Sequence, residues 1–302
     1  MSLFATCTNW LVSDIDRSDY YDVKDDVKYD MKTLGLPSSF GKECEKEEEE
    51  EEDHLVNNGS TIENDETLSK YWHQRYQLFS KFDDGIQMDR EGWFSVTPEK
   101  IAMQIAEACR CDIIVDAFCG VGGNAIQFAQ TCNRVIAIDT CEERLRMARH
   151  NAEIYGVSDR IDFILGSFFD VADRLAGVAD VVFLSPPWGG PEYLGQESYD
   201  LESMMMPSQG GAKAILETAQ KITPNIAFFI PRNSNLDQIK SWNLPCRVQA
   251  NWLTAEPVKP QNSKKRKRYS NNIRKIKALT IYFGPFLLEE NDEYWSQFLP
   301  DE

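Results

Sequence analysis

The stretch Asp112-Ile113-Ile114-Val115-Asp116-Ala117-Phe118-Cys119-Gly120-Val121-Gly122-Gly123-Asn124 decides the fold of this 302-residue chain. Its first five residues predict a buried strand, the glycine-rich part predicts a tight turn, and residues 125–130 predict a helix. A second apolar strand follows at residues 134–138 and ends at Asp139. This succession is typical of an open parallel α/β sheet that binds a ligand containing adenosine.

The position of Asp116 separates two classes of adenosine ligand. Gly120, Gly122 and Ala125 satisfy a relaxed dinucleotide fingerprint, which nicotinamide enzymes and S-adenosylmethionine (SAM) enzymes both match. A carboxylate directly before the turn repels a pyrophosphate, but it suits the ammonium and sulfonium cations of SAM. Asp139 can then accept hydrogen bonds from both ribose hydroxyls. We therefore predict a SAM site, with helix capping as the alternative role of Asp116.

A second junction predicts where the methyl acceptor binds. The apolar strand at residues 181–184 is closed by Ser185-Pro186-Pro187-Trp188. Because the prolines fix φ and remove two backbone donors, this loop is rigid. Trp188 then offers a flat face on which a planar base can stack, with its exocyclic amine in line with a methyl donor. The structural alternative is a strand-end turn with a core tryptophan.

Charge and composition indicate how the chain is organised. The net charge is −17, and residues 1–68 contribute −13 of it, from 19 acids and 6 bases. Such acidic blocks are typical of disorder. We predict a disordered acidic leader (1–68), a helical extension (69–100), a methyltransferase domain (101–288) and a C-terminal tail (289–302). The absence of a signal segment, of Cys-x-x-Cys pairs and of long apolar runs predicts a reduced, intracellular, soluble protein without a zinc site.

The helical extension carries aromatic residues at three- and four-residue spacing, which predicts one aromatic helical face. These are Trp72, Tyr76, Phe79 and Phe82. Such a face is expected to pack in the core and also to wall the pocket. A further helix is expected to begin at about Pro98, with Thr97 as its N-cap.

Later apolar runs predict the rest of the sheet. Strands are expected at 160–165, 180–185, 225–230, about 248–253 and about 279–283, the last one reversed, and helices at 142–155 and 211–221. Right-handed crossovers bring the carboxyl ends of parallel strands to one edge, where ligands bind. Five polar residues fall at such ends: Asp116, Asp139, Ser167, Ser185 and Arg232.

Several long motifs resemble those of trimethylguanosine synthases. They are Lys70-Tyr71-Trp72, Arg75-Tyr76, Asp83-Asp84-Gly85, residues 89–99, residues 116–124 and residues 185–191. The resemblance spans about residues 70–285. It implies a class I SAM-dependent methyltransferase fold, with a seven-stranded sheet, a reversed last strand and an N-terminal helical extension. The implied reaction converts the 7-methylguanosine cap of small nuclear and nucleolar RNAs to 2,2,7-trimethylguanosine, by two transfers to the exocyclic N2 amine.

The resemblance also implies roles for individual residues. The implied cofactor-binding residues are Phe94, Thr97, Asp116, Phe118, Gly120, Gly122, Asn124, Asp139 and Ser167. The implied catalytic shelf consists of Ser185, Pro186 and Trp188, with Trp188 stacked on the methylated guanine and Ser185 and Asn151 at the base edge. The implied ligands of the cap phosphates are Lys70, Tyr193, Arg232 and Lys277. Ser167 departs from related enzymes, which commonly place an acid after the third strand.

Partners and alternatives complete the prediction. The resemblance implies capped small RNAs as partners, with small ribonucleoprotein core proteins as further partners. The protein is expected to be a monomer that does not associate with a membrane. Its expected location is the nucleus, with the cytoplasm as a second site. The basic cluster Lys264 to Arg268 is a nuclear-import signal, a phosphate-binding patch or a solvated loop. An amino-methyltransferase of adenine also uses a polar-Pro-Pro-aromatic shelf, and a catalytically silent RNA-binding relative would keep Trp188. Both remain alternative functions.

Overall fold

A computed structural model describes residues 68–190, 193, 195–254 and 274–288 of the chain. Three predicted segments lie outside these residues, namely the acidic leader, the cluster Lys264 to Arg268 and the C-terminal tail. Of the leader, only its last residue, Leu68, is described.

Seven strands form one sheet in the order β3-β2-β1-β4-β5-β7-β6. They are β1 Ile113–Asp116, β2 Arg134–Asp139, β3 Ile161–Leu165, β4 Val181–Leu184, β5 Ile226–Pro231, β6 Cys246–Thr254 and β7 Arg274–Phe283. Strands β1 to β5 pair in parallel, and β7 runs antiparallel to both β5 and β6. This topology confirms the predicted α/β methyltransferase fold with a reversed last strand.

Helices cover both faces of the sheet. The α-helices of the described residues are α1 Ser69–Trp72, α2 Arg75–Leu78, α3 Arg90–Ser95, α4 Glu99–Ala108, α5 Gly123–Thr131, α6 Glu142–Tyr155, α7 Phe168–Val171, α8 Gly211–Gln220, α9 Leu236–Ser241 and α10 Pro285–Leu288. The apolar residues of α4, α5 and α6 pack on one face and those of α7, α8 and α9 on the other. Because both faces are covered, β4 and β5 are buried along their whole length and read as continuous apolar runs.

The last strand is longer than predicted. The strand was expected at about residues 279–283, but β7 already begins at Arg274 and pairs there with Thr254. The prediction was therefore wrong for residues 274–277. These residues are three cations and one isoleucine, which show no strand pattern along the chain. They belong to the strand because they pair with β6.

The helical extension also differs from its prediction. It does not present one aromatic helical face, because α1 and α2 are single turns and a short 3₁₀ helix, Phe82–Asp84, follows them. Phe79 and Phe82 are buried, whereas Tyr76 is 47% exposed and its hydroxyl donates to Asp83 at 2.8 Å. The predicted inward position of Tyr76 was therefore wrong. Trp93, from α3, joins Phe82 and Trp72 in the core instead, with ring centroids 5.5 and 6.0 Å away.

Candidate active site

A cavity of about 640 Å³ opens beyond the carboxyl ends of β1, β2, β3 and β4. Ligands of open α/β sheets bind at this edge, where the strand order reverses between β1 and β4. Nine of the predicted site residues line it: Phe94, Phe118, Gly120, Asp139, Ser167, Ser185, Pro186, Trp188 and Tyr193. Its volume lies in the usual range for small-molecule sites.

Asp139 is fixed at one side of this cavity by the glycine-rich turn. Its Oδ2 accepts from the backbone N–H of Gly120 at 2.8 Å, and its Oδ1 accepts from that of Cys141 at 2.9 Å. The glycine-rich turn is itself attached to β2, because the backbone N–H of Cys119 donates to the carbonyl of Ile138 at 2.9 Å. Since each carboxylate oxygen has room for a second donor, Asp139 can hold the turn and still bind hydroxyl groups of a ligand.

Asp116 lies beneath the cavity and does not line it. Its side chain is fully buried, and neither carboxylate oxygen has a hydrogen-bond partner of normal geometry. Burial raises the pKa of Asp116 to about 7, although the backbone N–H groups of Phe118 and Ala125 oppose part of the rise. A buried acid without a partner favours a cation nearby, so the site fits a positively charged ligand above the turn.

Thr97, Gly122 and Asn124 support the turn from behind. The amide of Asn124 donates to the hydroxyl of Thr97 at 3.0 Å, and both side chains are buried. Thr97 is therefore not an N-cap, and Pro98 holds that position before α4. Gly122 has φ 90°, and a Cβ there would meet the backbone of Ala148 at 3.2 Å, so this turn needs glycine. None of the three lines the cavity.

Trp188 and two neighbouring rings form the other half of the cavity. The Trp188 ring lies 5.3 Å from that of Phe229, at 33°, and 5.4 Å from that of Tyr193, at 88°. The hydroxyl of Tyr199 donates to the Trp188 carbonyl at 3.3 Å, and Ser185 Oγ donates to Phe118 O at 3.3 Å. These contacts hold the shelf and leave Trp188 half-buried, with part of its ring in the cavity wall.

The three predicted phosphate-binding cations lie outside the lining. Lys70 is exposed, with Nζ 4.7 Å from the ring centroid of Tyr71, which does line the cavity. The amide of Asn233, the residue after Arg232, donates to the Tyr193 carbonyl at 3.3 Å, so Arg232 lies near this wall. Lys277 lies in β7, one residue after the Ile276 carbonyl that accepts from Arg232 at 3.4 Å. The structure thus places Lys70 beside Tyr71 of the cavity wall, and Lys277 on the strand that pairs with β5, which Arg232 follows.

Asn151 does not reach the cavity. It is fully buried, its amide donates to the carbonyls of Gln87 and Val121 at 2.8 and 3.0 Å, and its Oδ1 accepts from Gln87 N–H at 2.8 Å. The two bonds to Gln87 attach the helical extension to α6, and the bond to Val121 attaches the glycine-rich turn to it. The predicted contact of Asn151 with the base edge was therefore wrong, because a carried-over motif position does not show which way the side chain of a helix residue faces.

Sequence reasoning missed an ionic link in the cavity wall. Arg144, on α6, donates from Nε to Asp89 Oδ2 at 2.7 Å and also pairs with Glu91. Burial lowers the pKa of Arg144, but Asp89 and Glu91 more than offset this and raise it. Asp89 Oδ1 also accepts from Gly92 N–H at 2.7 Å and so caps α3, the helix that carries Phe94. Only the Asp89-Arg90-Glu91 motif signalled this link.

The described residues contain no metal site and no membrane-spanning helix. No group of three His, Cys, Asp or Glu side chains within the described ranges is placed to hold a metal ion. Within the same ranges, no helix is both long and apolar enough to cross a membrane. The groups that can bind a ligand in the cavity are the carboxylate of Asp139 on one side and the ring of Trp188 on the other, with the cations around them.

Known proteins share this chain's pattern. Residues 111–285 match the sequence pattern of a family described as RNA cap guanine-N2 methyltransferase. A trimethylguanosine synthase of Schizosaccharomyces pombe is 42% identical over 183 residues, which cover 58% of this chain and 75% of that protein. A trimethylguanosine synthase of Saccharomyces cerevisiae is 45% identical over 181 residues, which cover 57% of each protein, so this chain spans just over half the length of that relative.

Proposed function

The chain belongs to the family of RNA cap guanine-N2 methyltransferases, and on that premise we propose that it converts the 7-methylguanosine cap of RNA to 2,2,7-trimethylguanosine. Family membership implies SAM as the methyl donor and capped RNA as the substrate. Two relatives named trimethylguanosine synthase support this product. One observation carries the proposal: the Trp188 shelf and the Asp139 carboxylate line a single cavity.

The carboxylate side of the cavity suits the donor. SAM supplies a methyl group on a sulfonium centre and also bears an ammonium group and a ribose. We assign the ribose hydroxyls to Asp139, whose oxygens each keep room for a second donor. The buried charge of Asp116 attracts the ammonium group from beneath the turn. Four further residues line the donor side, namely Phe94, Phe118, Gly120 and Ser167, while Thr97, Gly122 and Asn124 hold the turn.

The aromatic side suits a methylated guanine. N7-methylation makes guanine cationic, so a tryptophan face gains electrostatic attraction as well as stacking, about 1–2 kcal/mol when desolvated. The Trp188 ring is held by Phe229 and Tyr193 and lines the cavity, where such a base can stack on it. Ser185 lies at the base of the same shelf and is assigned to the base edge, and Pro186 keeps the shelf rigid.

Catalysis in this cavity is mainly positioning. Among the described residues that line it, the carboxylates are Glu91 and Asp139. Glu91 is paired with Arg144, and Asp139 accepts from two backbone N–H groups. Neither is placed as a general base beside Trp188, so the amine loses its proton to solvent after the transfer.

The surrounding cations suit the triphosphate bridge. Three linked phosphates need several positive partners, and Lys70, Arg232 and Lys277 lie on three separate segments around the cavity. Tyr193 links this group to the shelf through its contact with Trp188. We propose that these four residues bind the cap phosphates.

The RNA class and location are further parts of the proposal. We infer that the substrates are small nuclear and nucleolar RNAs, that two successive transfers occur, and that the protein acts as a monomer in the nucleus with ribonucleoprotein core proteins as neighbours. The names of the two relatives, both trimethylguanosine synthases, support the trimethylated cap as the product.

One incubation tests the activity against its alternatives. The protein is incubated with labelled SAM and with three RNAs of the same sequence, which carry a 7-methylguanosine cap, an unmethylated guanosine cap or no cap. We expect label only in the first RNA, as dimethyl- and trimethylguanosine after digestion. Label in adenine of uncapped RNA would identify an adenine amino-methyltransferase, and no transfer despite cap binding would identify a silent RNA-binding relative.

A further inference from the structure

An exposed tryptophan lies on the edge strand of the sheet, away from the cavity. Trp252, on β6, is 45% exposed, whereas the other tryptophans of the described residues are buried or partly buried. A single exposed apolar side chain needs no special explanation. Its surroundings therefore decide whether Trp252 has a function.

Trp252 lies at the same end of the sheet as the cavity. It pairs across strands with Ile276, at an irregularity of the β6–β7 ladder. On the other side of β7, Pro231 at the carboxyl end of β5 pairs with Ala278. Since neighbouring strands lie 4.7–4.9 Å apart, β6 is about 10 Å from β5. Trp252 is thus two strands away from the residue that precedes Arg232.

Arg232 connects this position with the cavity. The side chain is exposed, and its Nη1 donates to the carbonyl of Ile276, the cross-strand partner of Trp252, at 3.4 Å. The next residue, Asn233, donates from its amide to the carbonyl of Tyr193 at 3.3 Å, and the Tyr193 ring packs against Trp188. In the order of the strands, Arg232 therefore lies between Tyr193, in the cavity wall, and Trp252, at the sheet edge.

The sequence next to Trp252 is strongly basic, although the whole chain is acidic. Residues 255–277 contain nine Lys and Arg and one acid, in a chain with a net charge of −17. The strand residues that flank residues 255–273, Thr254 and Arg274, pair with each other at this edge. A strongly basic sequence thus joins the described sheet next to Trp252. Its charge suits a polyanion, and the proposed capped substrate, whose cap lies in the cavity at this end of the sheet, favours RNA.

We propose that Trp252 forms a subsite for the single-stranded RNA that follows the cap. Trp252 stacks on the base of a nucleotide near the cap, beyond Arg232, which binds the cap phosphates. A tryptophan beside a cation is suited to this ligand because every base has a π-face, so the contact tolerates any sequence. The inference rests on the proposed cap methylation and adds the substrate beyond the cap.

Two substrates separate this subsite from the cap site. One is 7-methylguanosine triphosphate, which has no nucleotide beyond the cap, and the other is a capped single-stranded RNA of about ten nucleotides. We expect Trp252→Ala to lower kcat/KM for the capped RNA by at least about fivefold, the lower limit for losing one stacked base. The same variant should methylate 7-methylguanosine triphosphate as the wild type does, and Trp252→Phe should restore most of the loss.

Phe286→Ala is the matched control. Phe286 is 40% exposed and lies just after the opposite end of β7, so its loss should change neither rate. If Trp252→Ala left the kcat/KM of capped RNA unchanged, the inference would be overturned and the proposed function would stand. Equal losses on both substrates would also overturn it, because Trp252 would then support the fold or the cap site. Failure of the wild type to methylate either substrate would instead refute the proposed function.

Discussion

Replacing Asp116 by asparagine should make the ligand-free protein more stable and its SAM site weaker. The carboxylate is fully buried without a hydrogen-bond partner of normal geometry, and burial raises its pKa to about 7. An asparagine of nearly the same shape removes the charge and keeps an oxygen that the nearby backbone N–H groups can approach. Stability and affinity are therefore expected to change in opposite directions, which a misfolded variant cannot do.

The size of the stability change follows from the pKa. An unfolded aspartate has a pKa of 3.8, against about 7 in the folded protein, and this difference corresponds to about 4 kcal/mol. Between these pH values the folded state binds the extra proton, so the contribution of Asp116 to stability falls as pH rises. The loss is absent near pH 4 and complete above pH 7. Asp116→Asn should therefore match the wild type near pH 4 and exceed it by up to about 4 kcal/mol at pH 8.

Urea unfolding from pH 4.5 to 8.5 measures this difference, because other groups titrate equally in both proteins and cancel. Calorimetry with S-adenosylhomocysteine measures the affinity, which should fall by about 2 kcal/mol at pH 8 through loss of a charged partner. Asp159→Asn removes the same charge from an exposed position and serves as the control. A stability difference that is independent of pH, or a variant less stable than the wild type at pH 8, would refute the reasoning.

Three further substitutions test the two sides of the cavity and the link between them. Trp188→Ala should abolish methyl transfer, whereas its affinity for S-adenosylhomocysteine, measured by calorimetry, should stay within a few-fold of the wild type. Trp188→Phe should retain partial activity, and a loss of donor binding in Trp188→Ala would place the shelf in the donor site. Asp139→Asn should weaken S-adenosylhomocysteine by about 2 kcal/mol and leave cap-analogue affinity, followed by tryptophan quenching, unchanged; equal loss of both ligands would indicate misfolding. Arg144→Gln should lower the free energy of unfolding in urea by about 1–2 kcal/mol. It should also weaken the binding of S-adenosylhomocysteine, because α3 and Phe94 lose their link to α6. Arg144→Lys should recover part of both losses, and an unchanged donor affinity in Arg144→Gln would show that the link is structural only.

The sequence by itself determined the sheet and the two sides of the cavity. Short continuous apolar runs bounded by turn residues predict buried strands, and a parallel sheet brings the carboxyl ends of these strands to one edge. Asp139 and Trp188 could therefore be placed together before any coordinates, since each directly follows or closes such a run. The positive φ of Gly122 is equally local, because it belongs to the turn between one strand and the next helix, whereas the close approach of Ala148 is a tertiary contact.

Only the tertiary structure decided which side chains face the cavity. Asn151 and Arg144 lie on the same helix, yet the first is buried in bonds to the extension and the second lines the cavity. Tyr76 matched an aromatic pattern but turned outward, because the extension breaks into single turns that follow the surface of the domain. The strand Arg274–Phe283 likewise depended on its neighbours β5 and β6. Contacts between segments distant in sequence fix these features, and a periodic pattern along the chain does not contain them.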